Sequence, residues 1–320
     1  MSYKKRIAAA AFVLTAVLLN ICIFRSIHWQ TDTGLAHLLL CVAVDGVAVA
    51  CIFNMESLLR VPLDIYRDKA MFWSLMKNDF QAKFAGSYLG LFWAFVQPVI
   101  TIALYWFVFQ VGLRSGNMSN HPFILFLMAG LVPWFYFSEA WNGATNSLVE
   151  YNYLVKKVVF NVGILPALKV SSALFVHLFF VAVVSLMCVF YGYLDWFFVQ
   201  LLYYICCTAF LVLGLSYITA AITVFFRDMT QIVNIILTIG VWVTPIMWNP
   251  AATMSPGMQM IFKFNPMYYI VDGFRDSLLE KIWFWEKPIW SVYFWGLSIL
   301  LYLFGAKMFN RLKVHFSDVL

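Results

Sequence analysis

Charge is scarce in this sequence. Of its 320 residues only 11% are Asp, Glu, Lys or Arg, against 63% hydrophobic residues and a mean hydropathy of +0.84. Soluble domains carry about 25% charged residues, so a water-soluble globule is excluded. A coherent basic face is also missing. The net charge of +6 comes from lysines and arginines scattered between apolar runs, which argues against nucleic acid as a partner and for topology and anionic lipid. Cys22, Cys41, Cys51, Cys188, Cys206 and Cys207 all sit in apolar runs and form neither a disulfide framework nor a metal-ligand spacing. His28, His37, His121, His177 and His315 are equally scattered, and nothing in them suggests a metal site or a proton relay. No Gly-x-x-x-x-Gly-Lys-[Ser/Thr] phosphate loop occurs, so ATP binding of that kind is excluded. There is no convincing tandem repeat.

What the chain has in abundance is apolar runs that approach the roughly 20 residues needed to cross a bilayer. They cover residues 7–24, 35–53, 91–111, 122–140, 170–191, 197–226, 232–248 and 289–309, which reads as an all-α polytopic membrane protein with eight spans. Lys4, Lys5 and Arg6 before the first run also fit a signal peptide. The run is long, however, no small-x-small cleavage site follows, and a second run arrives at once. Residues 1–68 are therefore read as a retained transmembrane hairpin and connector. Asp45 in the second run is costly in lipid and is expected to face protein.

The organising stretch is 72–110. Phe72, Met76, Phe80 and Phe84 recur every fourth residue with Trp73 and Leu75 alongside, while Ser74, Lys77, Asn78, Gln81 and Lys83 fall mostly elsewhere. That pattern predicts an interfacial helix with its apolar face in the headgroup layer. Gly86-Ser87-Tyr88-Leu89-Gly90 then permits a sharp turn into a span interrupted only by Gln97, Pro98 and Thr101. The Lys and Arg bias places both termini in the cytoplasm. The same count puts Lys263, Arg275, Lys281 and Lys287 outside. Two short amphipathic helices in the proline-broken stretch 250–287, re-entering the membrane from the outer face, account for them. Arg275 is expected to pair with Asp272 and Asp276.

Six motifs occur in order: Gly86-Ser87-Tyr88-Leu89-Gly90-Leu91-Phe92-Trp93 with Pro98; Gly130-Leu131-Val132-Pro133-Trp134; Asn152-Tyr153-Leu154-Val155-Lys156-Lys157-Val158-Val159-Phe160 with Leu165-Pro166; Phe226-Arg227-Asp228; Thr244-Pro245-Ile246; and Asn265-Pro266-Met267 with Gly273-Phe274-Arg275. By these, the chain from about residue 72 onward resembles the membrane subunit of type-2 ABC exporters, in the branch exporting lipid-linked polysaccharides such as O-antigen, capsule or teichoic acid. Lys83-Phe84-Ala85 departs from the arginine-richer stretch of similar proteins, and Asn161 stands where they carry proline.

The resemblance implies a six-span exporter domain over 69–320, with an interfacial helix at about 70–85, a coupling loop at about 148–166 and a re-entrant region at about 250–287. The hairpin of 1–68 lies outside that pattern. It further implies two copies of the chain around one pathway in the cytoplasmic membrane of a bacterium. Two separate ABC ATPase subunits would bind the ATP and Mg, so this chain would need no cofactor and catalyse nothing. The substrate would be a glycan, here read as carried on a polyprenyl pyrophosphate.

Coupling to the ATPase falls on Tyr151, Tyr153, Leu154, Lys156, Lys157 and Phe160, which otherwise form an ordinary solvated loop. Lys77, Lys83, Gly86 and Gly90 are candidates for headgroup entry. A sliding polymer needs stacking without fixed register, and Phe92, Trp93, Phe95, Tyr105, Trp106, Phe109, Trp134, Tyr136 and Trp242 are candidates for that path; Trp and Tyr also form interfacial belts in any membrane protein. Arg227 with Asp228, and Asn265, Pro266 and Arg275, are candidate gate or structural positions. An ABC drug or lipid efflux permease remains the alternative within the fold. A membrane glycosyl or acyl transferase would need convergent carboxylates or histidines, and Asp45, Glu139 and Asp195 form no such set.

Overall fold

In the computed structural model the chain is described at residues 13, 17, 20, 34–83, 86, 88–112, 121–157, 161–193, 195–250 and 254–320. It is helical almost throughout. In order the helices are α1 (Gly34–Phe53), α2 (Met55–Arg67), α3 (Lys69–Ala82), α4 (Trp93–Trp106), α5 (Phe123–Glu150), α6 (Asn152–Lys157), α7 (Ile164–Phe190), α8 (Leu201–Phe225), α9 (Met229–Val243), α10 (Pro256–Lys263), α11 (Pro266–Arg275), α12 (Pro288–Leu312) and α13 (Phe316–Val319).

Among the described residues five helical stretches are long and apolar enough to cross a membrane: Gly90–Gly112, Phe123–Glu150, Ile164–Phe190, Trp196–Phe225 and Pro288–Val319. A sixth is present if Val44–Phe53 and Met55–Arg67, bent by 65° at their junction, count as one span. Among the described residues this accounts for five or six of the eight expected spans. The run at 7–24 lies outside the described residues. The run at 232–248 supplies only the 15-residue α9, about 22 Å of helix against a core of about 30 Å. It stops because Thr244 is extended, at ψ 124°, as the residue before a proline tends to be.

Helix α5 is the central element. It is packed against α7 and α8, and α12 lies along α8. Leu125, Leu127, Ala129, Leu131, Ala140 and Ala144 are fully enclosed on it. The expected span of 122–140 continues unbroken to Glu150, so the polar stretch that follows it, with Asn142 and Asn146, is helix too. Its polar side chains find partners inside the bundle: Thr145 Oγ1 meets Thr219 Oγ1 at 2.7 Å, Thr230 donates to Asn146 Oδ1 at 2.6 Å, and Asn142 donates to Asn234. Satisfied in this way, such groups remain in the membrane as interhelical links.

Helix α3 takes the predicted period. Phe72 and Met76 are buried on Ile164 and Leu168 of α7, while Met71 and Trp73 remain exposed. Protein supplies the apolar cover. Asp45 on α1 accepts a hydrogen bond from Asn20 Nδ2 at 2.9 Å, which offsets part of its cost in an apolar run. At the other end of the bundle α10 and α11 are two short helices. Each begins on a proline, and the Asn265 side chain accepts from Met267 N to cap α11. An N-terminal proline gives up no intrahelical bond, so these prolines start helices here.

Candidate functional site

The end of the bundle carrying Tyr151 is held by an ion-paired joint. Asp79, on the buried face of α3, is 4% exposed and Lys169, in the second turn of α7, is 5% exposed. Their charged atoms are 2.6 Å apart, and Lys169 Nζ lies 2.5 Å from Glu150 Oε2 at the end of α5. Tyr151 donates its hydroxyl to Asp79 Oδ1 at 2.7 Å, and the Lys169 amine also sits 5.2 Å from the centre of the Tyr151 ring. Burial pushes the Asp79 carboxyl up, but the hydrogen bond and charge of Lys169, with Ser172 and Tyr151, outweigh it and hold the carboxyl below its ordinary value. One cation thus ties three elements: the α3 helix, the end of α5 and the start of α7. Neither Asp79 nor Lys169 figures among the sequence candidates. The signal was nonetheless present, since Asp79 lies seven residues after Phe72 on the same stripe.

Around the joint, Tyr153 of α6 is 55% exposed while Leu154 is buried against the cluster that includes Tyr217, Phe309 and Phe316. Lys156 is exposed, Lys157 closes α6, and Phe160 lies outside the described residues. Asn161, in the proline position of similar proteins, donates to Asp64 of α2, and its Oδ1 accepts from Gly163 N at 3.2 Å. Arg60 of α2 also donates to Asn310 Oδ1 at 3.2 Å. Helix α2 is thereby fastened to both the loop and the last span.

Lys77 is exposed on α3, whereas Lys83 at its end pairs with Glu139 of α5 at 2.8 Å. Gly86 and Gly90 adopt φ of +85° and +51°, a region that side chains disfavour, and these residues turn the chain into the Gly90–Gly112 span. That span is only 11% buried within the chain. Phe92, Trp93 and Trp106 stand exposed on it, Tyr105 is half-buried, Phe95 packs 4.3 Å from Phe179, and Phe109 lies 6.0 Å from Phe123. Trp242 on α9 is 55% exposed. Trp134 and Tyr136 sit elsewhere: Trp134 packs on Phe137 and close over Gly240, Tyr136 stacks on His177 at 4.6 Å, and both are buried inside the single chain.

At the opposite end, Arg275 does not pair with Asp272 and Asp276 as expected. Its guanidinium lies 3.6 Å over the Phe126 ring and Nη2 donates to the Ile246 carbonyl at 2.7 Å. Lys287 takes both carboxylates, at 2.7 Å to Asp272 and 2.5 Å to Asp276. Positions 275 and 276 both lie one turn from 272, but Lys287 occupies the two carboxylates while Phe126 and the Ile246 carbonyl hold Arg275. Burial and the adjacent Asp272 charge, opposed by Lys287, push the Asp276 carboxyl up to about 7. Asn265 Nδ2 donates to Thr244 Oγ1 at 2.8 Å, and Pro266 opens α11. Arg227 and Asp228 are exposed in the turn between α8 and α9. Among the described residues no group of three His, Cys, Asp or Glu is placed to hold a metal ion.

Residues 70–279 match the ABC-2 type transporter family. The chain belongs to that family. It is accordingly a multi-pass membrane component of a transporter and not an enzyme. It is 26% identical over 264 residues to the O-antigen export system permease protein RfbA of Myxococcus xanthus, covering 82% of this chain and 99% of that relative. It is 27% identical over 253 residues to a protein of the same name in Klebsiella pneumoniae, covering 77% and 93% of the two chains.

Proposed function

We propose that the chain is the permease subunit of an ATP-driven exporter that moves a lipid-linked polysaccharide across the cytoplasmic membrane. The observation that carries this reading is a similarity to O-antigen export permeases that runs over 82% of the chain and 99% of one relative. A chain without a phosphate loop needs a separate ATPase subunit, which also supplies the bound ATP and Mg. The Tyr151 end faces the cytoplasm, by its lysines, and Tyr153 with Lys156 and Lys157 on α6 receives the ATPase. Force on α6 reaches α3 and α7 through Tyr151, Asp79 and Lys169.

The glycan passes between two copies of the chain. Support comes from the exposure of the Gly90–Gly112 span and of Ile232, Ile235, Ile239 and Trp242 on α9, faces that one chain alone leaves uncovered. Phe92, Trp93, Trp106 and Trp242 supply ring faces there, and Trp134 and Tyr136 support them from inside. Lys77, Lys83, Gly86 and Gly90 mark where a pyrophosphate headgroup approaches. O-antigen, capsule and teichoic acid are all substrates of this class.

Affinity purification in mild detergent, with mass spectrometry of every stoichiometric companion, tests the reading. A subunit with a phosphate loop is expected. Recovery of the chain alone, under conditions that preserve a known ABC complex, would overturn it.

A further inference from the structure

At the end of the bundle away from Tyr151, the re-entrant helices α10 and α11 and the first turn of α12 enclose a cavity of about 410 Å³. Volumes of about 300–1,000 Å³ are typical of small-molecule sites. The buried rings of Tyr204 and Tyr269 form part of the wall, with Tyr268 and Trp290 half-buried beside them. The Tyr269 hydroxyl is already engaged with Ser291 at 2.8 Å and Tyr203 at 3.1 Å.

The remaining wall is polar. Asn249 and Gln259 offer amides, and Gln259 Nε2 is turned to the Met254 carbonyl at 2.9 Å. Two carboxyl groups, Asp272 and Asp276, share the wall with two amines, Lys263 and Lys287. Lys287 bridges the two carboxylates, and Lys263 lies 5.4 Å from the Trp290 ring centre.

The existing ion pairs decide the class of ligand. A phosphate would have to draw Lys287 away from Asp272 and Asp276, and a cation would meet Lys263 and Lys287, so a charged ligand of either sign disturbs contacts already made. A lipid chain would make no use of this polar wall. A neutral polyol with an apolar ring face suits every part of the wall. Its hydroxyls donate and accept, as amides and carboxylates require, and its C–H face lies on tyrosine or tryptophan.

We propose that this cavity is a binding site for one or two neutral pyranose units of the transported glycan. The inference rests on the polysaccharide reading above and deepens it. Asp272, half-exposed beside Lys287, accepts from sugar hydroxyls; Gln259 does so through its amide oxygen, and Tyr268 provides a ring face. The site lies where the chain leaves the membrane on that reading, so it holds the emerging glycan and opposes its return.

The test uses the full chain in lipid nanodiscs and saturation-transfer NMR. The probes are cellobiose, mannobiose and N,N′-diacetylchitobiose, with glucose 6-phosphate and glucosamine as charged comparators. Saturation is expected on at least one neutral disaccharide and is about fivefold weaker on the charged sugars. Gln259→Ala removes one hydrogen-bonding group and Tyr268→Ala one ring, each reducing the signal about fivefold. Gln259 lies on the peripheral α10 between the exposed Met258 and Met260, so its variant keeps the fold and stands if Tyr268→Ala does not. Absence of saturation on all neutral probes, preference for a charged one, or an undiminished signal in Gln259→Ala overturns the proposal. An ATPase companion that still co-purifies with a protein showing no saturation removes only the sugar site and leaves the exporter reading in place.

Discussion

Asp79 and Lys169 meet at 2.6 Å with both side chains almost wholly buried, one on α3 and the other on α7. A buried ion pair contributes little net stability over an apolar substitute, yet breaking it from one side leaves an uncompensated charge. Its value is in registration: α3 cannot slide along α7 without parting the pair, and Glu150 and Tyr151 bind the loop to the same point.

Lys169→Met is therefore expected to destabilise the protein by about 3–5 kcal/mol, because Asp79 is left charged and buried. Asp79→Asn combined with Lys169→Met recovers much of the loss. Denaturant unfolding in detergent, followed by circular dichroism, measures both. Equal instability of the single and double variants would show that the pair has no such role.

The two neighbours on α6 separate cleanly. Tyr153 is exposed and Leu154 buried, so Tyr153→Ala lowers recovery of the ATPase subunit at unchanged stability. Leu154→Ala costs about 2–4 kcal/mol of stability. Thermal unfolding beside quantitative co-purification distinguishes them, and the reverse assignment would remove α6 as the docking element.

Gly273→Ala tests the packing of α11 on α8. A Cβ at position 273 would lie 2.0 Å from ring atoms of Tyr204, and a rigid buried ring yields little. A loss of about 1–3 kcal/mol is expected from such overpacking. Wild-type melting of this variant would contradict the close approach of the two helices.

Asp276 gives the pH prediction. Its carboxyl is pushed from an ordinary 3.8 up to about 7 by burial and Asp272. The folded form then holds this proton more tightly than the unfolded chain, so the group's contribution to stability is full below about 4 and is lost as pH rises through about 7. Infrared spectroscopy should show a protonated-carboxyl band that disappears with a midpoint near 7 and is missing in Asp276→Asn. A midpoint near the ordinary value would contradict the burial argument.

Much of this architecture was legible as composition and period. Apolar runs locate the long helices, Phe72 and Met76 mark the packed face of α3, and Pro256 and Pro266 mark two short helices. The failures share one cause, namely that polar residues in a membrane bundle are read by type and placed by partner. Asn142 and Asn146 suggest a connector until Asn234 and Thr230 answer them. Lys169 looks like the end of a loop until Asp79 and Glu150 enclose it. Arg275 is drawn to carboxylates by charge alone, but α5 offers it Phe126 and α9's end the Ile246 carbonyl. Such pairings join residues far apart in sequence, and no local period encodes them.

Depleting the chain in the cells that make it, and then locating the envelope glycan, tests the central claim most directly. The account predicts that surface polysaccharide is lost while lipid-linked polysaccharide accumulates on the cytoplasmic side, accessible to glycosidase only after the membrane is opened. Surface glycan at wild-type level, with no internal accumulation, would contradict it.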